Sequence, residues 1–149
     1  MKKIIYLWFI SIILLANANI FAQTYTYPGP VVNIPDNDAI NGGWAEINVS
    51  GVVPVSEVDY VTINLTHTYD GDLKIVLEFF DNSWILSNQR GGGGDNYTNT
   101  VFRTGAYPSI TTGTAPFTGT YLPETPYQNL LIILTQMVNG HCMFLIYLV

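Results

Sequence analysis

A chain of 149 residues, 48% hydrophobic and 11% charged, has the length of one ordinary domain and enough apolar mass to bury a core. Its formal charge of −6, from 5 basic and 11 acidic side chains with no Lys/Arg cluster, excludes a phosphate-reading surface for nucleic acid. One cysteine, Cys142, excludes an internal disulfide framework and a cysteine-rich zinc site.

The chain opens with Met1-Lys2-Lys3, a short basic stretch, followed by the apolar run Ile4–Leu15. That run is too short to span a bilayer comfortably. Ala16-Asn17-Ala18 and Phe21-Ala22-Gln23 supply two small-residue cleavage patterns, after Ala18 or after Ala22. Residues 1–22 therefore read as a secretory signal peptide and 23–149 as the mature domain, with no membrane association once the leader is removed. No cysteine stands at the cleavage region just after the apolar run, so a lipoprotein anchor is not expected.

All 13 glycines and 8 prolines lie after Ala22, which breaks any long helix. Between the breaks, apolar residues alternate. In Glu57–His67, Val61, Ile63 and Leu65 share one face, with Tyr60, Thr62 and Asn64 on the other. In Asp72–Phe80, Leu73, Ile75, Leu77 and Phe79 point one way, and Lys74, Val76, Glu78 and Phe80 the other. This is the period of a strand. Trp44–Val49, Ser83–Leu86 and Tyr97–Phe102 are shorter strand candidates. Turn chemistry separates them at Asn41-Gly42-Gly43, Asp70-Gly71-Asp72, Asp81-Asn82-Ser83 and Gly91–Gly94. Short strands at this spacing predict an all-β sandwich or jelly roll. Periodicity does not decide between helix and strand for Tyr127–Val138. Met143–Val149 is apolar throughout, as a strand buried on both faces is.

No residue constellation predicts catalysis. No serine sits in a nucleophile elbow, and neither His67 nor His141 has the partners a hydrolytic base requires. His67 reads as a structural, hydrogen-bonding residue, and Cys142 as a small apolar one. Gly91–Gly94 lacks the Gly-Lys-Ser/Thr of a phosphate loop and reads as a turn needing positive φ. Asp36-Asn37-Asp38 and Asp70-Gly71-Asp72 place carboxylates two apart beside turns. Such aspartates either bond their own backbone or offer oxygen ligands to calcium, so Asp36, Asp38, Asp70 and Asp72 form the candidate metal set.

Several segments are familiar in order. Ile34-Pro35-Asp36-Asn37, Val58–Leu65 and His67-Thr68-Tyr69-Asp70-Gly71-Asp72-Leu73 come first. Leu86 with Gly91–Asn96, then Ala115-Pro116-Phe117-Thr118-Gly119-Thr120-Tyr121-Leu122-Pro123, and finally Asn139-Gly140 follow. Over residues 34–140 this series resembles the P domain, or Homo B domain, of proprotein convertases and bacterial subtilisin-like proteases. The resemblance implies a jelly-roll β-sandwich of the galactose-binding-domain-like kind. It implies a non-catalytic module that packs on a subtilisin-like serine endopeptidase domain, in cis or in trans, and supports its folding and proteolysis. The chain departs from the pattern at Phe80-Asp81-Asn82-Ser83 and at His141-Cys142. Relatives continue past the equivalent of Val149, so the last strand or strands are expected to be missing, with an open sheet edge beside Met143–Val149. The rival reading is a free-standing adhesion or carbohydrate-binding module that recognises a cell-surface ligand through Trp44, Trp84 and the tyrosines.

Overall fold

The computed structural model describes residues 22–35, 42–50, 55–79, 82–127, 131–133 and 142–148. The leader at 1–21, Asp36, Asp38, His141 and most of the undecided stretch after Tyr127 lie outside the described residues. Nine strands appear in the described part: β1 (Gly43–Val49), β2 (Val55–Glu57), β3 (Tyr60–Leu65), β4 (Lys74–Phe79), β5 (Asn82–Asn88), β6 (Tyr97–Arg103), β7 (Phe117–Tyr121), β8 (Leu131–Ile133) and β9 (Cys142–Leu148). Single 3₁₀ turns cover Asp70–Asp72 and Ile110–Thr112. The all-β expectation agrees with this content. No helix among the described residues is long and apolar enough to cross a membrane.

A four-stranded sheet runs β1-β9-β4-β5 and a three-stranded sheet runs β3-β6-β7, with β2 and β8 as a separate pair. All pairings are antiparallel except β6 with β7. The two larger sheets share one core. Val49, Ile75, Leu77, Phe79 and Leu86 come from the first; Ile63, Leu65, Tyr97, Phe102 and Phe117 come from the second. The alternation in β3 and β4 is therefore the alternation of a sheet with an inner and an outer face. Val76, on the outer face of β4, is buried too, because β4 is flanked by strands on both sides.

Two bulges set which residues reach the core. In the β4–β5 ladder, Ile75 opposes Ser87 while Val76 opposes Ile85, so β5 carries Leu86 as an extra residue. Leu86 and Ser87 are consecutive and both fully buried, and the bulge lets the two turn toward the interior together. In β6 the extra residue is Asn99, which is skipped in the ladders to β3 and to β7. Asn99 takes φ +48°, a conformation asparagine tolerates, and its N–H donates to Asn64 Oδ1 at 2.8 Å. The shift turns both Tyr97 and Thr100 inward. Neither bulge has a sequence signature as plain as the alternation around it.

One expectation is revised. The Glu57–His67 candidate divides into β2 and β3, broken at Val58-Asp59. The C-terminal strand β9 lies inside the four-stranded sheet, paired with β1 on one side and β4 on the other, and its neighbour β1 is the end strand. An apolar strand without charge or proline suits such a position, where both edges are hydrogen-bonded. Of the undecided stretch, Leu131–Ile133 is strand.

Phe102 is fully buried, and its carbonyl accepts a hydrogen bond from the Tyr127 hydroxyl, which is itself buried. Phe102→Ala should cost about 3–5 kcal/mol in denaturant unfolding, with a β-type far-ultraviolet spectrum retained in the folded baseline.

Candidate functional site

Three of the segments singled out in the sequence, far apart along the chain, meet at one place. The turn His67–Leu73 leaves β3 and enters β4. Against it lies the glycine turn Gly91–Gly94, between β5 and β6. Two backbone bonds clasp them: Asp70 N–H to Gly94 O at 2.9 Å, and Gly71 N–H to Gly92 O at 2.9 Å. Gln89 N–H donates to Leu73 O at 2.7 Å, at the foot of the same junction. The third segment, Ala115–Phe117, contains a cis Ala115–Pro116 bond and is tied in by Phe117 N–H to Asn96 O at 2.9 Å.

Gly91 and Gly94 are dictated by this contact. Gly91 has φ +92°. A β-carbon there would come 2.8 Å from the Phe117 ring, 2.9 Å from Asp70 Cβ and 3.2 Å from Ala115 Cβ. The reading of Gly91–Gly94 as a positive-φ turn therefore holds, and close packing is the second reason for glycine. Around the clasp the side chains interlock. Tyr97 stacks on Phe117 with centroids 4.6 Å apart, and Phe117 meets Tyr121 edge-on at 6.0 Å. Thr100 donates its hydroxyl to Phe117 O at 2.6 Å. Tyr97 and Ser87 share a buried hydroxyl–hydroxyl bond of 2.9 Å, and burial pushes the Tyr97 phenol up to about 12.

Asp70 is the unusual member. It is wholly buried. Its Oδ1 accepts from the Asn96 N–H at 3.0 Å, while Oδ2 is a buried oxygen without a hydrogen-bond partner. Burial raises the Asp70 pKa above the ordinary carboxylate value; the Asn96 N–H and nearby His67 oppose the rise, and Asp95 adds to it. Asp72, two residues on, is exposed. The two described members of the calcium set thus sit in different surroundings. Among the described residues no group of three or more His, Cys, Asp or Glu side chains is arranged to hold a metal ion.

His67 serves the turn. Its N–H donates to Asn96 Oδ1 at 3.0 Å, and its Nδ1 lies 2.9 Å from Tyr69 O and 3.1 Å from Tyr69 N. Asn96 is the residue that motif reading undervalued. With φ +75° it joins all three segments: its side chain accepts from His67, its N–H donates to Asp70, and its carbonyl accepts from Phe117. In the sequence it is the closing residue of the Gly91–Asn96 segment, two positions past the glycine turn. Below the clasp, Glu124 takes a two-pronged bond from Arg90, Nε to Oε1 at 2.8 Å and Nη2 to Oε2 at 2.7 Å, and accepts from Asn88 N–H at 2.7 Å. Arg90 holds the Glu124 carboxyl below its ordinary value.

Comparison of the chain with protein-family models, with characterised proteins and with solved structures returns no match.

Two predictions follow from the clasp. Gly91→Ala should destabilise by about 1–3 kcal/mol, from strained φ and overlap together. Gly92→Ala, whose β-carbon meets nothing within 4 Å, should cost less, and thermal melts will rank them. The second concerns pH. Asp70 has its pKa raised on folding, so its ionisation disfavours the folded state. Its contribution is fully present below the unfolded value and is lost as pH rises through the folded one. Glu124 has the opposite sign: its contribution exists above the unfolded value and is lost as pH falls through the folded one. Asp70→Asn should remove the first component, leaving stability that falls more steeply on acidification than in the wild type. Parallel profiles from denaturant titrations between about pH 3 and 7 would contradict the assignment.

Proposed function

We propose that this chain is a secreted, non-catalytic module of the P-domain kind, with a jelly-roll β-sandwich that packs on a subtilisin-like serine endopeptidase domain. The observation that carries the reading is the convergence of the three motif segments on Asn96. His67–Leu73 and Ala115–Phe117 belong to the most specific parts of the resemblance, and each is bonded to the Gly91–Asn96 segment that lies between them. Residues that share a structural duty explain why a motif would contain His, Asp, Asn and Gly without carrying chemistry. His67 spends its N–H and Nδ1 on the turn, and Asp70 its N–H and Oδ1, which supports an architectural reason for their proximity. In this role the module acts through a rigid surface, and the protease supplies the catalytic serine.

The rival adhesion reading rests on exposed aromatics. Trp44, Tyr60 and Tyr69 are each more than 40% exposed, but they stand on β1, β3 and the β3–β4 turn. Trp84 is half-buried against the core.

Two measurements test the proposal. The purified chain alone should leave fluorogenic peptides uncleaved and take no label from a fluorophosphonate probe. Mixed with a subtilisin-like catalytic domain deprived of its own C-terminal module, it should raise that domain's melting temperature, and Gly91→Ala should weaken the effect. No stabilisation in the mixture, with selective retention on a glycan array, would replace this reading with the adhesion module.

A further inference from the structure

We propose that Gln23 is a modification site: it becomes the first residue of the exported chain and closes on itself to a pyroglutamyl cap, which docks on Tyr25 beyond the end of β1. The proposal rests on the secreted character of the chain. Cutting after Ala22 frees the α-amine of Gln23, whereas cutting after Ala18 frees that of Asn19. The two ends differ in chemistry. In glutamine N, Cα, Cβ, Cγ and Cδ close a five-membered lactam; asparagine would need a strained four-membered ring.

The reaction balances without a co-reactant. The bond from Nα to Cδ forms and the bond from Cδ to Nε2 breaks. One proton of the amine leaves with Nε2 as ammonia, and nothing is oxidised or reduced. Free α-amines titrate only slightly above neutrality, so an unprotonated, nucleophilic fraction is present at about pH 7–8. Amine and carboxamide belong to one residue, so no second molecule has to be brought into place.

The structure holds Gln23 in a setting that suits both the amide and the lactam. Ala22 and Gln23 are exposed, so the bond between them and the departing ammonia are open to solvent. Gln23 Oε1 accepts from the Tyr25 hydroxyl, which also reaches the Ser50 carbonyl, its single hydrogen serving one of them at a time. Tyr25 is half-buried against the core, so its hydroxyl is a fixed point. Ser50 directly follows β1. The lactam keeps Oε1 and loses Nε2, so the contact to Tyr25 survives the reaction. Ring closure also removes the side chain's rotatable bonds, which lowers the entropy lost in holding the carbonyl there. It replaces a charged amine with a neutral amide N–H. Aminopeptidases, which start from a free α-amine, then find none.

The experiment expresses the whole 149-residue chain with its own leader in a secreting bacterial host and reads the exported protein by intact and peptide mass spectrometry. The expected product spans residues 23–149, is lighter than its sequence requires by one ammonia, about 17 Da, and is blocked to Edman degradation. Gln23→Asn should be cut at the same bond and keep both its side-chain nitrogen and an open amine. Pyroglutamyl aminopeptidase should remove the cap several-fold faster from Tyr25→Phe, which lacks the docking hydroxyl, than from the folded wild type. An exported chain that starts at Gln23 and still carries its ammonia after days at neutral pH overturns the proposal alone. One that starts at Asn19 overturns it by placing the cut elsewhere, and a chain retained with its leader uncut overturns the secretion reading as well. Equal removal of the cap from wild type and Tyr25→Phe overturns the docking.

Discussion

The backbone clasp between the His67–Leu73 turn and the glycine turn is the contact on which the rest of this architecture depends. Its two N–H···O bonds join the connection out of the three-stranded sheet to the connection back into it, and so fix how the sheets sit over one core. Backbone groups at such a junction would otherwise be buried without partners, at a cost of about 1–3 kcal/mol each. The clasp can close only if one partner lacks side chains. Glycine at 91 is required by the Asp70 and Phe117 atoms that crowd it, and glycine at 71 by the approach of Gly92, whose Cα would lie 3.0 Å from an added β-carbon.

Asp70 shows the cost of that closeness. A carboxylate placed between two turns gains one backbone N–H and leaves its other oxygen orphaned. An apolar residue would avoid the desolvation, but it could not accept from Asn96 N–H. Asn96 must sit at φ +75° to present its side chain to His67 and its carbonyl to Phe117. Asp70 is thus one of the partners that hold Asn96 in a conformation most residues avoid. The raised carboxyl pKa is the electrostatic trace of this arrangement, and the lowered one at Glu124 has the reverse origin, a bidentate arginine.

Much of the sheet structure was legible in the sequence because its cause is local. Val61, Ile63 and Leu65 alternate with polar neighbours, and that alternation is itself the inner and outer face of β3. The turn at Gly91–Gly94 was legible for the same reason. What was not legible comes from contacts distant in sequence. The bulges at Leu86 and Asn99 arise from ladders to other strands, and no property of Leu86 alone announces that it is an extra residue. The inner position of β9 depends on β1 and β4 arriving on either side of it. At the candidate site, Asp70-Gly71-Asp72 read as a pair of like carboxylates. The fold buries the first and exposes the second, because a 3₁₀ turn points residues two apart in different directions.

Edge protection completes the reasoning about the four-stranded sheet. Its far edge, β5, is covered by the chain beyond β7: Glu124 N–H donates to Leu86 O at 3.3 Å and Thr125 N–H to Ile85 O at 2.9 Å. The Glu124 side chain then takes the Asn88 N–H and the Arg90 guanidinium, so this cover is bonded through backbone and side chain together. Its side chains are only partly exposed, which spares the ion pair some of the screening that weakens surface pairs. At the other end of the sheet β1 is bonded to β9, so both central strands, β9 and β4, have a partner on each side, and the cover over β5 carries the bonding past the last strand of the ladder.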